Sequence, residues 1–281
     1  MLIEIAIGDA YGAGFEFQEE EVIKKHNKLT EYYDSRIDDI RAGQYTDDTQ
    51  MSLAIAELLL SEIEWTEENV AKYFLNAFHR DKRQGYAKGF YNFLIENSEV
   101  EDFLNNINSD SIRNGAAMRS VPLSYIKDKE ELKEKVKIQA SITHNTHEGI
   151  VSSQSVALIG HYFLYENINK HEIRDKLLME IEEIYRTDKT DRVACDAIDT
   201  IDAVLTVLLK SNTFSEILKN SVELGGDTDS VASIALGLAS LSEQFTNDLP
   251  EFLYTDLENE KYGKDYILKL DNELKKRFNV K

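Results

Sequence analysis

The chain has 281 residues, 42% of them hydrophobic and 30% charged, a globular balance that excludes wholesale disorder and allows a sizeable core. Its one cysteine, Cys195, excludes an internal disulfide framework and a Cys-rich zinc module. The net charge of −20, from 32 basic against 52 acidic residues, argues against general nucleic-acid binding and against anionic membrane surfaces, and it suits divalent cations.

Taken in chain order, the first nine residues are too short an apolar run, and too acidic, for a signal peptide. No later apolar run reaches the roughly 18 residues of a membrane span, so a soluble cytoplasmic protein is expected. Proline and glycine number 2 and 13, where average usage would give about 34 together, which predicts few tight turns and long helices. Leu53, Ile55, Ala56, Leu58, Leu59 and Leu60 form one broad helical stripe, and Val70, Phe74, Ala77 and Phe78 a second. Helical spacing continues through Glu131–Ala140, Glu148–Tyr165, His171–Tyr185, Ala197–Leu209, Phe214–Leu224, Val231–Leu241 and Tyr266–Phe278. Strand-like alternation is scarce. The charge-dense Lys127–Lys137 reads as a solvated helix face. Without a linker or a fixed-period repeat, the expected architecture is all-α, one compact orthogonal helical bundle over residues 1–281.

No phosphate-binding P-loop is present, and Gly12-Ala13-Gly14 lacks the third glycine of a dinucleotide fold. Metalloprotease, nucleophile-elbow and di-iron signatures are also missing. Two acidic boxes stand out, Gln44–Met51 (QYTDDTQM) and Gly225–Val231 (GGDTDSV). Each sets Asp and Thr/Ser next to glycine, ahead of a helix. One such box alone is explained as well by an N-cap and first-turn acids as by a ligand set. Two boxes carry more carboxylates than capping requires. If they converge, two carboxylates about 5 Å apart repel by roughly 3 kcal/mol at an effective dielectric of 20. Mg²⁺ or Mn²⁺, which take hard oxygen ligands, would relieve that repulsion. With Glu16 the boxes hold five acidic groups, close to balancing two divalent ions. A third segment, Gly8–Glu16, has small residues that permit close helix packing or a tight turn.

These segments, in this order, resemble the ADP-ribosylglycohydrolase family. The resemblance runs through GDAYGAGFEF, YTDDTQM, RNGAAMRSVPL, SITHNTHEG, DAIDTIDAVL and GGDTDSVASIALGLA, almost the whole chain. It implies an all-α fold with a two-metal cleft that cleaves the bond between ADP-ribose C1″ and an acceptor. It also implies that Thr46, Asp47, Asp48, Asp227, Asp229 and Ser230 are ligands to two Mg²⁺ or Mn²⁺ ions. Glu16 is implied beside the metals, with Asp47 and Asp229 as essential groups. Asn114, Gly115, Ala116 and Met118 match the segment that cradles the diphosphate, and His144 a histidine near the ligand. His147 reads better as a satisfied helix-end histidine than as a zinc ligand.

Departures from the family pattern are Ser230 in place of Thr, the aromatic Tyr11 and Phe15, and no Gly-Tyr before the aspartate in Arg192–Asp199. Tyr86 is a candidate for the missing aromatic contact, although a core role is the better reading. Arg80, Lys82, Arg83 and Lys88 form a basic island that reads as surface, or as a greeting for an anionic substrate. The expected partners are an ADP-ribosylated acceptor, arginine-linked protein first, and free ADP-ribose as product, for a monomer with no membrane role. The alternatives are a binding or crystallin-like structural member without turnover, or a hydrolase of a serine- or nucleic-acid-linked acceptor.

Overall fold

The computed structural model describes residues 1–37, 39–181 and 183–280. Among them fifteen α-helices follow one another: α1 (Leu2–Ala13), α2 (Glu20–His26), α3 (Asp47–Leu60), α4 (Glu67–Arg80), α5 (Lys88–Glu96), α6 (Val100–Asn106), α7 (Gly115–Met118), α8 (Lys129–Ser141), α9 (His147–His161), α10 (Ile173–Leu178), α11 (Ala197–Lys210), α12 (Phe214–Leu224), α13 (Thr228–Ala239), α14 (Phe252–Thr255) and α15 (Lys264–Phe278). Extended backbone pairs only at isolated points among the described residues, so the fold is all-α. No helix among the described residues is long and apolar enough to cross a membrane.

Three helices form the centre. In α1, α3 and α13 nearly every side chain is buried, including the acidic ones of the two boxes. A helix that is apolar on all sides must be surrounded. Amphipathic helices do this, among them α4, α11, α12 and α15, each with an apolar stripe inward. The closest approach is α1 against α13. A Cβ on Gly8 would lie 2.4 Å from the Ala232 carbonyl oxygen, and one on Gly12 2.5 Å from Asp229 Cα. Glycines at i and i+4 share one helix face, so they remove the side chains that would hold the two backbones apart. Thr228 Oγ1 fixes the contact by donating to the Gly12 carbonyl at 2.8 Å.

Two expectations are corrected. Helix length is mixed: α9 runs on through a π-turn to Glu166, as read for Glu148–Tyr165, and α15 has 15 residues, but several helices have only four to seven. Tight turns are more frequent than the few glycines suggest: besides Gly43, Gly85, Gly225 and Gly226, the non-glycine residues Phe17, Leu29, Asp39, Asn167 and Asn279 take positive φ. The stripe read as one helix over His171–Tyr185 breaks after α10, where Met179 and Ile184 turn outward (81% and 71% exposed); residue 182 lies outside the described residues. In its place, Glu180 ties this stretch to Lys129 and Lys133 of α8 (2.7 Å each). Those ion pairs show part of the charged Lys127–Lys137 face bridging to a neighbouring segment.

Gly12→Ala should cost about 1–3 kcal/mol through overpacking of the α1–α13 crossing. Gly89→Ala, whose Cβ meets nothing within 4 Å, serves as the control. Thermal melts of both variants check this, and an unchanged Gly12→Ala midpoint would contradict the crossing as described.

Candidate active site

Asp9 organises the first box. It lies in α1 in an otherwise apolar run and is fully buried. Its carboxylate accepts four hydrogen bonds from the start of α3: Thr46 N (2.9 Å), Thr46 Oγ1 (2.8 Å), Thr49 N (2.9 Å) and Thr49 Oγ1 (2.6 Å). The cap of α3 therefore comes from another helix. Thr46 occupies the N-cap position but makes no cap bond of its own. Elsewhere Thr66, Asp128, Thr146, Asp196 and Thr213 cap their own helices in the ordinary way. The capping explanation thus fails for the first box, because Asp47 and Asp48 are left with no helix end to satisfy.

The second box is arranged likewise. Asp227 stands at the N-cap of α13 and makes no cap bond. Its Oδ2 instead accepts from Asn114 Nδ2 at 2.7 Å, and Asn114 also donates to Thr200 Oγ1 at 3.0 Å. The two boxes meet directly: Ser233 Oγ donates to Asp48 Oδ1 at 2.9 Å and Ser230 Oγ to Asp48 Oδ2 at 3.4 Å.

Glu16, Asp47, Asp48, Asp227, Asp229 and Ser230 line one cavity of about 490 Å³. Glu16, Asp227 and Asp229 each bring a carboxylate oxygen within 4.8 Å of the others. Glu16 Oε2 and Asp229 Oδ1 are buried without any hydrogen-bond partner. Burial pushes the Glu16 carboxyl up to about 8, with Asp227, Asp47 and Asp9 adding to the rise. Burial also holds Asp47, Asp48 and Asp229 well above the usual carboxylate range; Asp9 is the leading charged neighbour for Asp47 and Asp48, and Glu16 for Asp229. Crowded, dehydrated carboxylates with unpartnered oxygens are the donor set that hard divalent cations take. Thr46 lies behind this wall, fully buried, and the hydroxyl proton given to Asp9 leaves its lone pairs for a cation. Gly85 packs over the first box at φ +104°; a Cβ there would sit 2.2 Å from Asp47 Oδ1.

The rest of the wall carries Tyr86, Phe90, Phe93, Ile107, Met51 and Met118, with Asn114, Gly115, Arg119, Thr143, His144 and Cys195. Of the residues matched to a diphosphate cradle, Asn114, Gly115 and Met118 are on the wall. Ala116 is fully buried and absent from the lining. The amide of Asn114 fixes Asp227 from its place beside the box. Gly115 gives room to His144, whose Cε1 would be 3.0 Å from a Cβ there.

His144 Nδ1 lies 2.6 Å from Thr143 Oγ1, which accepts from Arg119 Nη2 at 2.8 Å. The Thr143 hydroxyl thus ties the His144 ring to Arg119 and fixes its orientation in the wall. Burial and the nearby Arg119 push His144 down to about 3, which keeps it neutral through the physiological range. Arg119 is itself 1% exposed, held by Gln139 (2.6 and 2.9 Å) and set 4.4 Å over the Phe74 ring.

Tyr86 combines both of its readings: it is buried, its hydroxyl donates to Gln50 Oε1 at 2.7 Å, and it lines the cavity. In the basic island the two arginines are committed to acidic partners, while Lys82 and Lys88 are exposed. Arg80 pairs with Glu57 over Tyr262, and Arg83 pairs with Asp81 and Glu258 over Tyr45. In Arg192–Asp199, Asp196 caps α11 and Asp199 holds the buried Lys189 at 2.6 Å. From that stretch Cys195 reaches the wall, its thiol pushed up to about 12 by burial and by Asp227. His147 is exposed at the start of α9, with Nε2 3.2 Å from Glu183 and away from the cavity. Asp9 and Asn114 as supports of the boxes are absent from a motif reading; the signal for Asp9 was a carboxylate in the middle of an apolar helix, whereas Glu4 is only at its first turn.

The profile of the ADP-ribosylglycohydrolase family matches residues 1–281. The chain belongs to that family. ADP-ribosylhydrolase ARH3 of Gallus gallus is 28% identical over 52% of this chain, which spans 42% of that protein. ADP-ribosyl-(dinitrogen reductase) glycohydrolase of Rhodospirillum rubrum is 24% identical over 88% of this chain and 85% of its own length. ADP-ribosylarginine hydrolase Tri1 of Pseudomonas putida is 24% identical over 90% and 72%. A solved ADP-ribosylglycohydrolase-related protein complex shares the fold, with a TM-score of 0.77 at 18% identity over 98% of this chain and 95% of that one.

The raised Glu16 sets a pH signature for the metal-free protein. Its folded form holds a proton that the unfolded chain releases near 4.5, so stability falls as pH rises from about 4.5 towards about 8. Protons and cations compete for the same oxygens, so stabilisation by Mg²⁺ should grow from pH 5 to pH 8. Melting midpoints with chelator and with Mg²⁺ measure this difference, and a pH-independent or absent Mg²⁺ effect would contradict the site.

Proposed function

We propose that this chain is a divalent-cation-dependent hydrolase of the bond between ADP-ribose C1″ and an acceptor, with arginine-linked ADP-ribose as the favoured substrate. One observation carries the reading: dehydrated carboxylates from two boxes and Glu16, with Glu16 Oε2 and Asp229 Oδ1 unpartnered, line a single cavity whose other walls are aromatic and polar. The arginine preference is supported by a relative over 90% of the chain whose name is ADP-ribosylarginine hydrolase.

Thr46, Asp47, Asp48, Asp227, Asp229 and Ser230, with Glu16 beside them, would hold two ions, Mg²⁺ or Mn²⁺. Such ions supply Lewis-acid chemistry and an anchor for the ribose hydroxyls. The chain supplies the rest. Cleavage passes through an oxocarbenium-like state, and the carboxylate floor stabilises that positive charge. Glu16, half-buried at the edge of the floor, is the proton-handling group: its carboxyl gives a proton to the departing acceptor atom or takes one from water. His144, held in orientation by Thr143, offers a neutral ring nitrogen for a hydrogen bond to the substrate. Tyr86, Phe90 and Phe93 supply apolar surface for the nucleoside end.

ADP-ribose release from arginine-, serine- and nucleic-acid-linked substrates, each with Mg²⁺, Mn²⁺ or chelator, tests the reading. Arginine-linked release should require metal. Asp47→Asn and Asp229→Asn should each lower it at least about a hundredfold, with the helical circular dichroism unchanged. Full activity of either variant, or release untouched by chelator, would overturn the proposal.

A further inference from the structure

We infer that the guanidinium of Arg113 is the group that recognises the phosphates of the substrate at the mouth of this cavity, an inference that rests on the proposed ADP-ribosyl substrate. The problem it answers is electrostatic. The wall of the cavity has five carboxylates, at Glu16, Asp47, Asp48, Asp227 and Asp229. A ligand with negative phosphate oxygens enters against that field. The wall carries two arginines and no lysine. One of them, Arg119, is buried, with its Nε and Nη2 engaged by Gln139 and Thr143 and its guanidinium stacked on Phe74, so it is fixed deep in the wall and away from the rim. The other is Arg113.

Arg113 is exposed, and among the described residues no carboxylate lies within ion-pair distance of it. The arginines of the basic island differ in this respect, each being neutralised by at least one Glu or Asp. The backbone around Arg113 is pinned on both sides. Arg113 N donates to Ser111 Oγ at 3.2 Å, the backbone of Arg113 bridges to the backbone of Asp196, and Asn114 N donates to the Cys195 carbonyl at 3.2 Å. Its charge also opposes the rise of the Cys195 thiol on the same wall. A fixed backbone with an uncommitted side chain places a planar, permanently charged fork on the rim of an acidic cleft. That fork matches two phosphate oxygens at once, which an ammonium does not.

Equilibrium binding of ADP-ribose in the presence of Mg²⁺, by calorimetry at low and high salt, tests this with the wild type, Arg113→Gln and Arg113→Lys. Arg113→Gln should bind at least about tenfold more weakly, as the loss of a charge-assisted pair implies, and Arg113→Lys should recover part of the affinity. Salt should weaken the wild type more steeply than Arg113→Gln, because an exposed ion pair is screened. Arg113→Gln binding within about twofold of the wild type, or a salt dependence identical to it, would overturn the role of Arg113 and leave the proposed reaction standing. A wild type that binds no ADP-ribose would overturn both.

Discussion

Mutual repulsion among buried carboxylates is the constraint on which the rest of this structure depends. Asp9, Asp47, Asp48, Asp227 and Asp229 are almost wholly removed from water, and Glu16 stands at their edge. Two such charges 5 Å apart oppose one another by roughly 3 kcal/mol even at an effective dielectric of 20. Among the described residues no cation pairs with them: Arg119, buried in the same cavity wall, is held by Gln139, Thr143 and the Phe74 face. A fold that holds such a cluster needs rigid backbone on every side and a counter-charge from outside.

The rigidity comes from the three central helices. The Gly8 and Gly12 face lets α1 touch α13, which brings the second box against the end of α1. Asp9 then reaches from α1 to cap α3, which brings the first box to the same place. One helix thus positions both boxes, and a single carboxylate replaces the local cap that Thr46 would otherwise make. Released from capping, the box carboxylates are free to act on something that is not protein. Neutral donors complete the arrangement: Asn114 fixes Asp227, and Ser230 and Ser233 fix Asp48.

Much of this was legible in the sequence, for a physical reason. The boxes join residue types that disagree with an apolar helix start, and buried carboxylates in such a place need a purpose. The all-α class followed equally from the scarcity of alternation and of chain breakers. Other features depended on partners distant in the chain. Asp9 and Thr46 are 37 positions apart, and Asn114 and Asp227 are 113 apart. No local pattern reveals that one carboxylate caps another helix, or that an amide matched to a phosphate cradle ties down an acid. The pairing of Arg80 and Arg83 was hidden for the same reason, since Glu57 and Glu258 lie far from them in sequence. The break after Leu178 was hidden because Met179 and Ile184 continue an apolar spacing that the fold leaves in solvent.

The central claim is that the two boxes form one site for cations. Calorimetric titration of the chelator-treated protein with Mn²⁺ tests it most directly. The account predicts two ions per chain, with competition between Mn²⁺ and Mg²⁺ for the same places. A protein that takes up no ion at millimolar Mn²⁺, while retaining its helical spectrum, would contradict it.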